Sequence, residues 1–330
     1  MPSCCVCYTT DPGYLLPTLV SARQARRFAN PGNADIAIFS IGSDTEAARV
    51  FAKTCAAEGI LFVPVKQSDV EGAGAMLARL FLDRLAPPDY DQLLYLDGDT
   101  QITGSLDPLL DADVPKRHFL AATDPMSFSL DGSNRQDREL MAYFSGIGVP
   151  PERQRSYFNS GVLRINRHGW EEIGRESWRL FQTLRPQTRY PDQDALNLAA
   201  PERRIPMSLS WNFPIFLRNA RVEQMIKPRV IHYMGAPKPW HGSFPPWSAA
   251  QYAPYIDLVS QYPDLAPYLQ RMSSSRKLKY VLQQRYKRVL ETLSWGYGRR
   301  RRAILNYEGG LHPAPGRLAL SGAVQPVKAV

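Results

Sequence analysis

The sequence predicts an α/β protein with a mainly parallel central sheet, and three observations support this fold class. Over residues 4–125, short apolar runs alternate with segments of helical periodicity. The apolar runs are continuous, which is typical of strands buried on both faces of a sheet. Helices between such strands cover those two faces. Ligands of sheets of this kind bind beyond the carboxyl ends of the strands.

The predicted elements follow one another in a regular order through the first half of the chain. The strands are "CCVCYTT", "DIAIFSIG", "LFVPV", "QLLYL" and "HFLAAT". The helices are Tyr14 to about Phe28, Thr45 to Glu58 with Asp44 as its N-cap, and "AMLARLFLDRL". The second half is less regular, with strands at "YFNSGVLRI" and "RVIHYMG" and a helix near Trp170 to Leu184.

The composition excludes several classes of protein. Apolar residues make up 44% and charged residues 22% of the chain, as in an ordinary globular protein. No window reaches the roughly 18 consecutive apolar residues of a membrane span. Because no Lys or Arg precedes Arg23, we expect no secretion signal. Of the four cysteines, Cys4, Cys5 and Cys7 share one strand and alternate between its faces, which disfavours a zinc site. We therefore expect a reduced, cytosolic protein.

Two carboxylates separated by one glycine end the predicted strand at "QLLYL". Asp97 and Asp99 flank Gly98, and the next basic residue downstream is Lys116. An Asp–Gly turn capping local amides is the structural alternative. Two anions this close to a buried strand repel each other, so a divalent cation that prefers oxygen ligands would compensate them. Such a cation leaves coordination positions open for phosphate oxygens, which predicts a nucleotide or sugar-nucleotide ligand.

Two unrelated enzyme classes place an Asp-x-Asp pair at a strand end. Phosphatases of the haloacid dehalogenase type use the pair that ends their first core strand, usually followed by Gly-Thr. Nucleotide-sugar glycosyltransferases of the GT-A type place it about a hundred residues into the chain. Here three strand–helix units precede the pair and no Gly-Thr follows it, so the position favours the second class.

Five motifs in order resemble family 8 glycosyltransferases, which include glycogenin and bacterial lipopolysaccharide galactosyl- and glucosyltransferases. They are "CYTTDPGYLLPTLVSA", "LYLDGDT", "YFNSGVLRIN", "YPDQDALN" and "VIHYMGAPKPW", spread over residues 4 to 240. The resemblance implies a GT-A type nucleotide-sugar-binding fold as the catalytic domain at 1–250. Residues 251–330 are then a Pro-rich connection and a basic amphipathic tail.

The resemblance also implies the donor-binding residues. The uridine pocket would lie at the end of the first strand, and Arg79 would face the donor sugar and diphosphate. Asp97, Asp99 and His232 would bind the metal, which is Mn²⁺ or alternatively Mg²⁺. Gly235 would let the backbone approach a phosphate, and Lys238 would offer it a charge. The implied uridine contacts are Tyr8, Thr10, Asp11 and Tyr14. A core helix position is the alternative for Tyr14, and a hydrogen-bonded core histidine is the alternative for His232.

Two further segments are implied at the sugar. Asn159, Ser160 and Gly161 match the segment that hydrogen-bonds its hydroxyls. Asp192, Gln193 and Asp194 match the segment under the anomeric carbon and are the candidate catalytic residues. "PDQDALNLA" is also a good helix start, and the two interpretations are compatible.

These motifs predict an enzyme that moves a hexose, glucose or galactose, from a UDP-sugar to a hydroxyl acceptor with retention. A lipopolysaccharide-type or other cell-surface glycan is the expected acceptor. A front-face reaction steadied by Gln193 or Asp194 and a covalent intermediate on either residue both stay open. A non-catalytic nucleotide-sugar-binding protein and a self-glycosylating glycogenin-like enzyme are the alternative functions.

The net charge of +9 is concentrated in the tail. From Arg271 onward the chain carries thirteen basic residues and two acids, so the rest of it is about −2. From Leu278 the apolar residues share one half of a helical wheel, and Trp295, Tyr297 and "RRRR" follow. This pattern predicts peripheral binding to the anionic cytoplasmic face of a membrane. A helix that packs against the domain is the alternative. Nucleic acid is not a predicted partner, because the segment has no known nucleic-acid-binding motif.

Overall fold

A computed structural model of the 330-residue chain describes residues 3–42, 46–128, 130–184, 187–295 and 298–311. The predicted N-cap Asp44 and the predicted interfacial Tyr297 lie outside these ranges, and the side chain of Trp295 is likewise not described.

A seven-stranded sheet forms the centre of the molecule. Its strand order is β3-β2-β1-β4-β7-β6-β8, and β1 pairs in parallel with both β2 and β4. β7 is antiparallel to its two neighbours, β4 and β6. The strands are β1 (Cys4–Thr10), β2 (Ala34–Ile41), β3 (Leu61–Val65), β4 (Gln92–Leu96), β5 (Thr100–Ile102), β6 (Phe119–Ala121), β7 (Val162–Asn166), β8 (Arg204–Pro206), β9 (Phe213–Pro214) and β10 (Val230–His232).

A second sheet, of order β5-β10-β9, begins where β4 ends. Helices surround the two sheets. They are α1 (Leu15–Phe28), α2 (Glu46–Ala57), α3 (Leu82–Leu85), α4 (Asp107–Leu110), α5 (Arg135–Gly146), α6 (Trp170–Leu184), α7 (Pro191–Ala199), α8 (Glu223–Ile226), α9 (Ala249–Gln261), α10 (Ser274–Trp295) and α11 (Arg299–Gly310).

Alternate residues of β1 face two different hydrophobic cores. Cys4, Val6 and Tyr8 join the core on the side of α1, whereas Cys5 and Cys7 join the core that contains Trp170 of α6. The sheet is therefore covered on both faces, as its continuous apolar strands predict. The predicted α/β class with a mainly parallel sheet is confirmed.

Two predicted elements are shorter than expected. "AMLARLFLDRL" forms a 3₁₀ turn at Ala78–Phe81 followed by the one-turn α3. All four residues of that turn are buried, so packing on every side overrides a helical pattern that needs one polar face. In "YFNSGVLRI" only β7 is a strand, because side chains of Asn197 and Asn159 accept the N–H groups of Phe158 and Gly161.

The C-terminal helices differ in how they meet the rest of the molecule. α9 and α11 contribute Tyr255, Leu258 and Ile304 to the core on the α1 side. α11 is further fixed by Glu308, which accepts hydrogen bonds from the Ser208 hydroxyl and the Leu209 N–H. None of the α10 side chains that the structure describes is buried. Among the described residues, no helix combines the length and apolar character needed to cross a bilayer.

Candidate active site

The second sheet brings two carboxylates and a histidine together at the end of β4. Asp97 follows β4, and its N–H donates to the Gly161 carbonyl across to the start of β7. Asp99 directly precedes β5, which pairs antiparallel with β10 so that Thr100 lies opposite His232. The Tyr233 N–H donates to the Asp99 carbonyl at 2.9 Å. Strand pairing therefore fixes the three side chains, although His232 is far away in sequence.

The three side chains form a donor set that fits a divalent cation. One donor atom from each of Asp97, Asp99 and His232 lies within 4.8 Å of the others. His232 Nε2 is 3.2 Å from Asp99 Oδ1 and 3.6 Å from Asp97 Oδ2. Its other ring nitrogen, Nδ1, lies 2.9 Å from Asn212 Oδ1. When Nδ1 donates to that oxygen, the lone pair of Nε2 is directed at the carboxylates, where a metal would lie.

Replacing Asn212 by leucine is expected to weaken Mn²⁺ binding about tenfold to a hundredfold. Leucine is larger than asparagine but has the same branched shape, and it leaves no acceptor for Nδ1 of His232, so the imidazole can turn and take the other tautomer. Calorimetric titration of the protein with Mn²⁺ measures the change. Asn306→Leu, at an exposed position on α11, is the matched control and should bind like the wild type. Equal affinity in both variants would contradict the orienting role.

Two basic side chains neutralise the aspartates, which the sequence does not predict. Arg79 Nη2 lies 2.7 Å from Asp97 Oδ1, and Lys238 Nζ lies 2.5 Å from Asp99 Oδ2. Although burial would raise it, the pKa of Asp99 is held below its ordinary value by Lys238 and His232. Burial raises the pKa of Asp97, with Asp99 adding to the rise and Arg79 opposing it. The charges of the pair are thus compensated by protein groups, so charge balance alone does not require a metal.

Two glycines are required for the close packing around the metal-binding candidates. A Cβ at Gly161 would lie 2.2 Å from a ring carbon of His232 and 2.7 Å from Asp97 Oδ2. A Cβ at Gly98 would lie 2.2 Å from the Thr18 hydroxyl oxygen. A side chain at Gly161 would displace His232 and Asp97, whereas a side chain at Gly98 would collide with Thr18, so glycine avoids a steric clash at both positions.

Arg79 also joins the metal-binding candidates to the predicted sugar segments. Its Nη1 is 3.0 Å from Asp192 Oδ2 and donates to the Ser160 carbonyl at 2.9 Å. The Ser160 hydroxyl in turn donates to Asp192 at 2.6 Å. The guanidinium lies over the Tyr95 ring, and the Tyr95 hydroxyl donates to Asp97. Arg79 is buried, so its side chain is an internal part of this network and not a solvated surface group.

A second network holds the amides of the sugar segments. The Asn159 Nδ2 donates to Gln193 Oε1 at 2.9 Å and to Asp124 Oδ2 at 3.2 Å. Gln193 Nε2 donates to the same Asp124 oxygen at 3.1 Å. Asn212 Nδ2 donates to Asn159 Oδ1, which connects this network to His232. The structure thus brings both predicted sugar segments to the metal-binding candidates.

Asp194 is held differently from its neighbours in α7. It has no exposed surface. One carboxylate oxygen accepts from the Tyr157 hydroxyl at 2.5 Å, and the other accepts from Tyr143, Thr188 and the Tyr190 N–H. With its acceptor sites filled in this way, the carboxylate holds the start of α7. Its predicted catalytic role is not tested by these contacts, but they favour a positioning role.

The predicted uridine contacts lie in the last part of β1 and directly after it. Asp11 Oδ1 accepts from the Tyr14 N–H at 3.0 Å, and Tyr14 is 37% exposed with its ring edge against Trp240. That exposure argues against a core position for Tyr14. Thr10 is buried beside Asp11 and accepts from the Thr18 hydroxyl. Tyr8 has no exposed surface and its hydroxyl bonds Ser21, so its ring lies in the core, and its contact with uridine stays a prediction.

The remaining predicted residues lie on the loop after β10. Gly235 has a φ of +74°, in the left-handed region that favours glycine, and is exposed. Lys238 lies three residues further on and also donates to the Tyr233 carbonyl. Sequence reasoning missed Tyr95, Asn212 and Asp124 as members of the site. Only Asp124, a polar residue directly after a strand, carried a signal that could have indicated it.

Comparisons with known proteins agree with this geometry. The model of glycosyl transferase family 8 matches residues 5–243. Among solved structures, the galactosyltransferase LgtC in complex with donor and acceptor sugar analogues is similar with a TM-score of 0.62 and 22% identity, covering 80% of this chain and 100% of that one. The glycosyltransferase GlyE of Streptococcus pneumoniae has a TM-score of 0.53 and 19% identity over 83% of this chain and 66% of that chain.

Two curated relatives are bacterial lipopolysaccharide glucosyltransferases. The lipopolysaccharide glucosyltransferase WaaO of Escherichia coli is 28% identical over 46% of this chain and 44% of its own length. A lipopolysaccharide 1,2-glucosyltransferase of the same species is 27% identical over 59% of this chain and 58% of its own. The matched regions span about half the length of these relatives. Because the family model covers more than half of the chain, the chain belongs to glycosyl transferase family 8.

Proposed function

We propose that this family 8 glycosyltransferase moves a hexose from a UDP-sugar to a hydroxyl group of a glycan, with a divalent metal holding the diphosphate. The observation that carries the proposal is the cluster of Asp97, Asp99 and His232, joined through Arg79 to the candidate sugar segments. A simple Asp–Gly turn would not need a buried histidine oriented by Asn212.

Manganese is the proposed metal, with magnesium as the alternative, because the donor set combines an imidazole with two carboxylates. When bound, the cation supplies Lewis acidity to the departing UDP. Lys238 is the protein group placed to share that task. Its ammonium group forms an ion pair with Asp99, and a diphosphate bound beside Asp99 would be within reach of the same positive charge.

Retention through a front-face reaction is the proposed course at the sugar. A covalent route needs a nucleophile that is free to attack. Asp192 is occupied by Arg79 and Ser160, and Asp194 by three hydroxyls and a backbone N–H. Gln193 presents an amide held by Asn159 and Asp124, which suits stabilisation of developing charge better than attack.

Glucose or galactose is the proposed hexose, and a lipopolysaccharide-type glycan the proposed acceptor, because several relatives carry these activities in their names. A screen of UDP release across UDP-glucose, UDP-galactose and their N-acetyl derivatives tests the donor. Faster release from an N-acetyl donor than from both hexoses would contradict the proposal. The intact mass after each reaction distinguishes self-glycosylation, which would add hexose units to the protein.

The cytoplasmic face of an anionic membrane is the proposed location, and the surface of α10 supports it. The exposed apolar side chains along this helix are Leu278, Leu282, Tyr286, Val289, Leu290 and Leu293, from 48% to 76% exposed. Basic residues flank them, and each basic residue near an anionic bilayer adds about 1 kcal/mol. A domain-packing helix would bury such a face instead.

Leu278→Gln together with Leu282→Gln is expected to release the protein from anionic liposomes at moderate salt, because it removes apolar area from the proposed contact face. Flotation with phosphatidylserine-containing vesicles measures this. Leu61→Gln with Met225→Gln removes two other exposed apolar side chains and should leave flotation unchanged. Substitutions are preferable to deletion of the tail, since α11 packs in the core. If both double variants float like the wild type, the membrane proposal is wrong.

A further inference from the structure

We infer that a cavity beside the metal-binding candidates binds a phosphate group carried by the glycan acceptor. This inference deepens the proposed function and rests on it. The cavity has a volume of about 620 Å³ and lies between the loop after β10, the segment Ile215–Asn219 and α10. It is separate from the donor residues at the end of β1, none of which lines it.

The cavity shares its wall with the metal-binding loop. Met234, Ala236 and Pro237 line it, and they lie between His232 and Lys238 in the chain. Trp247, which also lines it, packs edge-on against Tyr233 with ring centroids 5.2 Å apart. A ligand in the cavity would therefore lie one loop away from the metal-binding candidates.

The charged residues that line the cavity are all basic. Its basic residues are Arg218, Arg285, Lys287 and Arg288, and none of the described residues that line it is acidic. Arg218 is paired with Glu223 at 3.1 Å. Arg285 and Arg288 are exposed, and within the described part of the chain neither has an ion-pair or hydrogen-bond partner through its side chain. Two unpaired guanidinium groups favour a phosphate, which arginine can bind through two hydrogen bonds.

The other walls fit a sugar better than a naked inorganic anion. Trp247 and Phe216 supply aromatic surface, and Pro237, Pro245 and Pro246 supply rigid apolar surface. Aromatic faces pack against the C–H faces of sugar rings, and small-molecule sites combine such surface with a few convergent polar groups. The chemistry that fits the cavity is therefore a sugar that carries a phosphate ester.

The orientation of α10 fits delivery of such an acceptor from a membrane. Gln284 and Arg288 are one turn apart and line the cavity. Leu282, Tyr286 and Leu293 lie on the opposite side of the helix at 100° per residue, and they are exposed. One face of α10 thus meets the cavity while the other is free for the bilayer. A phosphate on the lipid headgroup itself shares this chemistry, so the experiment must separate the two sources.

Calorimetry on the full-length protein saturated with UDP and Mn²⁺ tests the inference, because the diphosphate site is then filled. The probes are glucose 6-phosphate, glucose and dihexanoyl phosphatidic acid. Arg285→Gln with Arg288→Gln is expected to weaken glucose 6-phosphate binding about tenfold. Arg285→Lys with Arg288→Lys keeps the charge but loses the two-pronged guanidinium geometry, so its affinity should lie between that of the wild type and that of the glutamine variant. Lys279→Gln with Arg302→Gln removes the same charge from exposed positions outside the cavity and should have no effect.

Three results would overturn the inference. Glucose could bind as well as glucose 6-phosphate, or the two Gln variants could weaken binding equally, which would indicate a non-specific charge effect. Phosphatidic acid could bind where glucose 6-phosphate does not, which would assign the cavity to a lipid headgroup. If the wild-type protein releases UDP from its donor and any of these results is found, this inference is wrong and the proposed function stands. If the wild-type protein binds the phosphate probe but does not release UDP, the proposed function is wrong instead.

Discussion

Asp99→Asn is expected to lower Mn²⁺-dependent UDP-sugar hydrolysis by about 1,000-fold or more. The amide keeps the shape of the side chain but removes the negative charge that faces both His232 and Lys238. The proposed metal site then loses one of its two carboxylates. Because the backbone bond from Tyr233 N–H to the residue 99 carbonyl remains, the second sheet should stay folded.

Initial rates of UDP release at saturating Mn²⁺ measure this effect, and electron paramagnetic resonance of free Mn²⁺ reports metal binding independently. Asp113→Asn, at an exposed position, is the matched control and should keep full activity and metal affinity. Full activity in the Asp99→Asn variant would remove Asp99 from the metal site.

Arg79→Met is expected to lower the free energy of unfolding of the metal-free protein by about 3–5 kcal/mol. Arg79 lies between Asp97 and Asp192, and its side chain is only 5% exposed. Methionine fills a similar volume but leaves two largely buried carboxylates without their shared cation. Saturating Mn²⁺ should reduce the difference, since the cation would restore positive charge beside Asp97.

Urea denaturation with and without Mn²⁺ measures the loss in stability. Arg175→Met provides the comparison, because Arg175 pairs with Glu171 at the surface, where both side chains are about two-thirds exposed. That variant should lie within about 0.5 kcal/mol of the wild type. A loss below about 1 kcal/mol for Arg79→Met would show that Arg79 does not hold the two carboxylates together.

The sheet could be predicted from the sequence because burial on both faces leaves a local signature. β1, β2 and β4 are continuous apolar runs that are almost entirely buried, whereas the edge strand β3 is apolar but mostly not buried. The positions of all four agree with the prediction to within a residue or two. Ala78–Phe81 could not be predicted, because there the same apolar pattern is imposed by packing on all sides. The shortened β7 likewise depends on Asn197, which is close in space but not in sequence.

In the candidate site, too, the residues with a local sequence pattern could be predicted and those that depend on the fold could not. Asp97 and Asp99 could be predicted as site residues, because two acids one residue apart after a buried strand are unusual. Their partners could not be inferred from charge patterns, since Arg79 and Lys238 come from distant segments and only the fold brings them close. Asn212 and Tyr95 act through side-chain hydrogen bonds, which leave no pattern in the sequence. The burial of the Tyr8 ring could not be predicted, because a motif does not show which face of β1 a side chain occupies.

The central claim is that the chain couples metal-dependent UDP-sugar binding to turnover. The most direct test pairs calorimetry of UDP binding with UDP release from UDP-glucose and UDP-galactose, on one preparation of wild-type protein, with Mn²⁺ and then with chelator. The proposed function predicts that Mn²⁺ strengthens UDP binding and that at least one donor releases UDP, with both effects lost on chelation. UDP binding with no release from either donor would contradict it and identify the chain as a non-catalytic nucleotide-sugar-binding protein.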